Sequence, residues 1–192
     1  FVKSRLMQTE LIRIYPENPE QEKIDYIVSV LRDGGVIIYP TDTVYGIGCD
    51  FSNTKAVERV CKIKNVKPQN LSFICYDLSE ISYTFILNSN SSVPKILNAK
   101  KKTVGIRVPN NSIPRLLVKE LGRPIITSSI QGEDDVIEYS TDPSLIFEKY
   151  ENLVDIVIDG GYGGNVPSTV IDCSNDQFEI VRQGLGSIDD LF

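Results

Sequence analysis

The chain has 192 residues, 41% of them hydrophobic, which is enough for one sizeable core. No apolar run approaches the roughly 20 residues that span a bilayer, so one cytoplasmic domain over residues 1–192, without membrane attachment, is expected. Histidine is absent, which excludes Ser-His-Asp and Cys-His nucleophilic machinery, histidine general bases and histidine-ligated metals.

Cys49, Cys61, Cys75 and Cys173 are widely spaced with no CxxC, a pattern of free buried thiols rather than disulfides or a zinc site. Net charge is −6, yet residues 55–119 carry twelve Lys and Arg against three acidic residues, a local +9 that leaves −15 for the rest. Such segregation makes either a positive cleft suited to phosphates or a plain solvated surface. An enzyme of this composition works by positioning and fixed charge, which favours nucleotide chemistry, with any hard cation carried in on phosphate oxygens.

In chain order, Glu10 to Tyr15 alternates like an edge strand. Pro16-Glu17-Asn18-Pro19 then supplies a helix cap followed by proline at the first helical position. Ile24, Ile27, Val28 and Leu31 fall on one helical face, and Gly34-Gly35 stops the helix. Next comes Gly34 to Asp50, a strand of branched residues that breaks at Pro40 into hydroxyls and a carboxylate, with Gly46 and Gly48 permitting close backbone approach. Two readings stand: a buried strand with a capped turn, or a strand end presenting Thr41, Thr43 and Tyr45 to a polar ligand.

Ser52-Asn53-Thr54 caps a second helix, with Ala56, Val57, Val60 and Cys61 on one face and Lys55, Arg59 and Lys62 on the other. If that helix reaches Lys64, the lysine turns inward and needs a partner such as a ligand phosphate; Pro68 allows an earlier end. Strands are expected at Leu71 to Tyr76, Tyr83 to Leu87, Thr103 to Val108, Pro124 to Thr127, Leu153 to Ile158, Thr169 to Asp172 and Phe178 to Arg182. Helices fit at Pro114 to Leu121, near a Ser112 cap, and at Pro143 to Tyr150, capped by Asp142. The alternation predicts an α/β domain on a twisted mixed sheet. Gly160-Gly161-Tyr162-Gly163-Gly164 reads as a ligand-hugging loop or a surface turn. Neither a Rossmann fingerprint nor a P-loop is present.

Tyr39-Pro40-Thr41-Asp42-Thr43-Val44-Tyr45-Gly46-Ile47-Gly48-Cys49-Asp50 resembles the signature of the YrdC/YciO family, which includes threonylcarbamoyl-AMP synthases. Val104-Gly105-Ile106-Arg107-Val108-Pro109, Pro167-Ser168-Thr169-Val170-Ile171-Asp172 and Val181-Arg182-Gln183-Gly184 resemble three later motifs of that family, in the same order. The resemblance implies a YrdC-like fold, a mixed and mostly parallel sheet with flanking helices and a large basic cavity. It also implies a nucleotidyltransferase that condenses L-threonine and bicarbonate with ATP and Mg²⁺, releases pyrophosphate and serves tRNA threonylcarbamoyladenosine modification.

Carried over by motif, Thr41, Thr43, Tyr45, Arg107 and Ser168 would bind threonine or another small acid. Lys62, Lys64, Thr127, Ser128 and Arg182 would bind the nucleotide. Two motifs depart from the synthase pattern and resemble the YciO branch. Lys62-Ile63-Lys64-Asn65 stands where the family has KxR and a proline, and Ser128-Ser129-Ile130 stands where it has SxN. The alternative reading is a protein that grips tRNA or double-stranded RNA without synthase activity. Between Ser82 and Tyr83 the resemblance implies a longer connection than this sequence holds.

Overall fold

The apolar spacing after Pro19 produces helix α1 (Gln21–Arg32), with Ile24, Ile27, Val28 and Leu31 all buried. The computed structural model describes residues 8–76, 83–88, 103–132, 136–175, 177–187 and 189; the join between Ser82 and Tyr83 lies at the edge of an undescribed stretch. α1 starts later than Asn18-Pro19 suggests. Glu20 is its N-cap, without a side-chain bond, because the Asn18 N–H closes a turn onto the Tyr15 carbonyl over 3.1 Å. Its end follows the glycine pair: Gly34 takes φ +87° and the Gly35 N–H donates to the Val30 carbonyl over 2.8 Å.

Among the described residues ten strands form one sheet: β1 (Glu10–Arg13), β2 (Val36–Tyr39), β3 (Gly46–Asp50), β4 (Ser72–Ile74), β5 (Tyr83–Asn88), β6 (Thr103–Arg107), β7 (Ile125–Ser129), β8 (Ile156–Asp159), β9 (Thr169–Asp172) and β10 (Glu179–Arg182). Their spatial order is β1-β8-β2-β3-β7-β4-β6-β5-β9-β10. The sheet is mixed. Among the described residues, β1 with β8, β8 with β2, β4 with β6 and β5 with β9 run parallel, and the other pairings are antiparallel. β1 is an edge, as its alternation predicts.

Successive residues of a strand face opposite sides, and here both sides of the first half of the sheet are covered. Helices α2 (Thr54–Lys64) and α5 (Pro143–Tyr150) pack on Val36, Ile38, Ile47, Ile126 and Val157. Helices α1 and α3 (Ser112–Leu121) pack on Ile37, Tyr39, Ile125, Ile156 and Ile158. The short α4 (Glu138–Thr141) precedes α5. Asn53 caps α2 by accepting from the Ala56 N–H, and Asp142 caps α5 by accepting from the Ser144 N–H with Pro143 at the first turn. For α3 the cap is Asn111, not Ser112. The Ser112 hydroxyl donates to the Pro16 carbonyl instead, tying the helix start to the turn before α1.

All four cysteines are free, and burial pushes the Cys49 thiol up to about 12. Among the described residues no helix is long and apolar enough to cross a membrane.

Candidate functional site

A cavity of about 580 Å³ opens on one face of the sheet. Its floor is a register row, Thr127–Ser72–Gly105–Ile86–Asp172, that crosses β7, β4, β6, β5 and β9. Two residues along, Arg107, Thr84 and Val170 form a second row, also in the lining. Gly105 keeps the floor open. A Cβ there would sit 2.5 Å from the Ser72 hydroxyl oxygen, closer than real contacts allow.

Arg107 ends β6, and its position on the same face as Thr103 and Gly105 points it into this wall. Its Nη2 donates to Thr43 Oγ1 at 2.6 Å, to Asp42 Oδ1 at 2.8 Å and to Thr41 Oγ1 at 3.1 Å. The ion pair is nearly enclosed, with the two side chains 11% and 10% exposed. Among the described residues the buried Arg107 Nε has no hydrogen-bond partner. Three acceptors crowd one nitrogen, which fixes the plane of the guanidinium against the cavity wall.

The expected site residues are divided by the structure. Thr41, Tyr45, Arg107, Ser168, Thr127, Ser128 and Arg182 all line the cavity. Thr43 is 1% exposed and outside the lining, and its Oγ1 accepts from Arg107 Nη2. Ser168 Oγ pairs with Thr84 Oγ1 at 2.8 Å, and the Ser168 carbonyl accepts from Arg182 Nη2 at 2.8 Å. Burial first, and then the nearby Arg107, push the Arg182 guanidinium below its ordinary value. Two cations thus share this wall. Thr127 Oγ1 is bonded to the buried Tyr39 hydroxyl.

Lys62 and Lys64 fall outside the lining, and Tyr45 lines the cavity while its hydroxyl is engaged by the glycine-rich stretch. The Tyr45 ring belongs to the core; its hydroxyl donates to the Gly161 carbonyl at 2.7 Å and accepts from the Gly160 N–H at 3.1 Å. Lys62 is exposed on α2 and outside the lining. Lys64 does lie within α2, half-buried, but its ammonium donates to the Ile130 carbonyl at 2.9 Å. Ile130 itself is buried in the core beneath α2 and α5. The close approach allowed at Gly48 is made by β7: a Cβ there would meet the Ile126 carbonyl oxygen at 2.2 Å. Thr84, Ser72 and Asp172 add to the polar lining. Thr84 and Ser72 had no local signal beyond a hydroxyl inside an expected strand; only pairing across the sheet puts them beside Arg107 and Gly105.

The Telomere recombination profile of the Sua5/YciO/YrdC proteins matches residues 29–83 and 81–184. The chain is 37% identical to the uncharacterized protein YciO of Escherichia coli strain K12 over 202 aligned positions, covering 94% of this chain and 98% of that one. The chain belongs to the Sua5/YciO/YrdC family. Those 202 positions exceed the 192 residues present, so the alignment has gaps in this chain, and the two profile matches meet at residues 81–83, where the short connection falls.

The E. coli YciO crystal structure superposes with a TM-score of 0.87 at 35% identity, covering 96% of this chain and all of that one. Family members with a named activity are more distant. A threonylcarbamoyl-AMP synthase of Pseudoalteromonas translucida is 28% identical over 184 residues, 81% of this chain and 96% of that one. P. abyssi Sua5 in complex with L-threonine has a TM-score of 0.83 at 25% identity; the match covers 95% of this chain and 60% of that longer one.

Proposed function

We propose that the cavity binds a nucleotide and a small carboxylic acid of the threonine class side by side, and that the chain is a synthase of the threonylcarbamoyl-AMP type or a YciO-branch relative acting on similar substrates. The observation that carries this reading is Arg107: a nearly enclosed guanidinium on the cavity wall, held in place by two threonine hydroxyls and one carboxylate. A planar fork of this kind suits a carboxylate. The Sua5 complex with L-threonine supports the choice of acid.

In such a reaction bicarbonate and the threonine amine form a carbamate with loss of water. A carbamate oxygen then attacks the α-phosphorus of ATP as pyrophosphate leaves. Arg107 would hold the acid, and Arg182 with the Ser128 hydroxyl would face the phosphates, where developing negative charge needs fixed donors. Mg²⁺ would be brought in on the phosphate oxygens of the nucleotide. Among the described residues no group of three or more His, Cys, Asp or Glu makes a metal site, and phosphate oxygens with the lining carboxylate Asp172 suit an ion that keeps several waters. Use of ATP agrees with a cytoplasmic protein.

Incubation with ATP, L-threonine, bicarbonate and Mg²⁺, followed for pyrophosphate and an AMP-linked product, tests the proposal. Turnover supports synthase chemistry. Binding of both ligands without product assigns the chain to a YciO-type reaction on other substrates, and absence of binding by folded protein rejects the reading. The alternative is a protein that grips tRNA or double-stranded RNA backbone with the basic cavity and does no chemistry; of the cations that reading could use, Lys55 and Lys62 are exposed on α2 away from the cavity lining. No observation favours it over the first reading.

A further inference from the structure

The glycine-rich stretch 160–164 is absent from the cavity lining, yet it is fastened to the loop that carries the acid-binding residues. The Gly164 N–H donates to the Thr43 carbonyl at 2.8 Å. The Tyr45 hydroxyl donates to the Gly161 carbonyl and accepts from the Gly160 N–H. Steric contact follows the same path. A Cβ on Gly160 would lie 2.5 Å from Pro40 Cγ, one on Gly163 2.6 Å from Tyr45 Cδ2, and one on Gly164 2.6 Å from the Thr43 carbonyl oxygen. Gly161, at φ +95°, is needed for its backbone.

The stretch has its own anchors. Asp159 Oδ1 accepts from the Gly161 N–H at 3.0 Å, and Asp159 Oδ2 accepts from Arg13 Nη1 at 2.7 Å. The Gly163 N–H donates to the Thr141 carbonyl at 2.8 Å. On the far side of the loop, Thr43 Oγ1 accepts from Arg107 Nη2. Residues 40–45 are therefore held between the glycine stretch and Arg107. A shift of Thr43 moves the main acceptor that orients the guanidinium.

We infer that residues 160–164 brace the acid-binding loop, and that Tyr45 is a positioning residue whose hydroxyl acts on the acid through this brace and Arg107. The inference rests on the reading of the Arg107 end as the acid site. It explains why four glycines are gathered in a stretch outside the cavity lining: any side chain at three of them would push on Pro40, Tyr45 or Thr43. It also assigns the buried Tyr45 phenol, whose burial raises it well above the ordinary tyrosine range, a use as a neutral two-way hydrogen-bonding group.

The test compares the parent chain with Tyr45→Phe and Gly164→Ala, all full length. Hydrogen exchange without ligand should quicken by about tenfold or more across residues 40–45 and stay unchanged across 125–129. In calorimetry, L-threonine affinity should fall by about tenfold while ATP affinity stays within about twofold. Unchanged exchange at 40–45 overturns the brace. Equal loss of both affinities overturns the positioning role, since general loosening would do that. If the parent binds no L-threonine, the acid reading fails, and the exchange result alone still decides the brace.

Discussion

The Lys64 ammonium donates to the Ile130 carbonyl over 2.9 Å. These residues come from the two motifs that depart from the synthase pattern, and they are in contact. The Ile130 side chain is 1% exposed, its N–H donates to the Tyr45 carbonyl at 3.1 Å, and its carbonyl also accepts from the Tyr150 hydroxyl at 3.3 Å. Together they close the end of β7 against α2 and α5, with the isoleucine turned into the core.

Restoring the family's asparagine by Ile130→Asn alone is therefore expected to harm the protein. It removes a buried apolar side chain and places an amide in the core, a loss of about 3 kcal/mol. Urea denaturation measures it. A variant as stable as the parent would show that residue 130 can turn toward the cavity.

Nucleotide binding should depend on Arg182 and little on Lys62. Arg182 lines the cavity and has no carboxylate partner among the described residues, whereas Lys62 is exposed on α2. Arg182→Met is expected to weaken ATP binding by about tenfold or more, and Lys62→Met by less than about twofold. Fluorescence titration with a labelled ATP analogue distinguishes the two; equal effects would place the phosphates outside the cavity.

Acid stability should have an identifiable contributor in Asp50. Burial works to raise its carboxyl, but hydrogen bonds from Arg123 and Ser52 outweigh it, and the net shift is below the ordinary aspartate value. A carboxyl depressed in the folded state binds its proton less readily there than in the unfolded chain. The resulting stability is present above the unfolded value, about 3.9, and is lost as pH falls through the folded one. Asp50→Asn should flatten the stability curve below about pH 4, as measured by chemical denaturation at each pH. A parent curve just as flat would contradict this.

Local signals in the sequence carried most of the fold. The apolar face of α2 appears where Ala56, Val57, Val60 and Cys61 predict it, and Asp142-Pro143 starts α5, because periodicity and capping act within one turn. Caps were less legible where two polar neighbours compete: Asn111 caps α3 since Ser112 is bonded to Pro16, 96 residues away. The same limit applies to the site. Arg107, Thr41, Ser168 and Arg182 converge as their motifs suggest. The Tyr45 hydroxyl and the Lys64 ammonium do not, because Gly160 and Gly161 in one case and Ile130 in the other are remote in sequence and claim them first. Thr84 enters the site only through the register that pairs β5 with both β6 and β9.

The central claim is that Arg107 receives the carboxylate of a small acid. Complete removal of the side chain would break a nearly enclosed ion pair with Asp42 and disturb the loop as well as the acid site, so Arg107→Lys is the sharper variant. Isothermal titration of L-threonine into the parent and into Arg107→Lys, both folded, is the direct measurement. The account predicts measurable binding by the parent and at least about tenfold weaker binding by the lysine variant, which replaces a fork with a point charge. Equal affinity in the two proteins would contradict it.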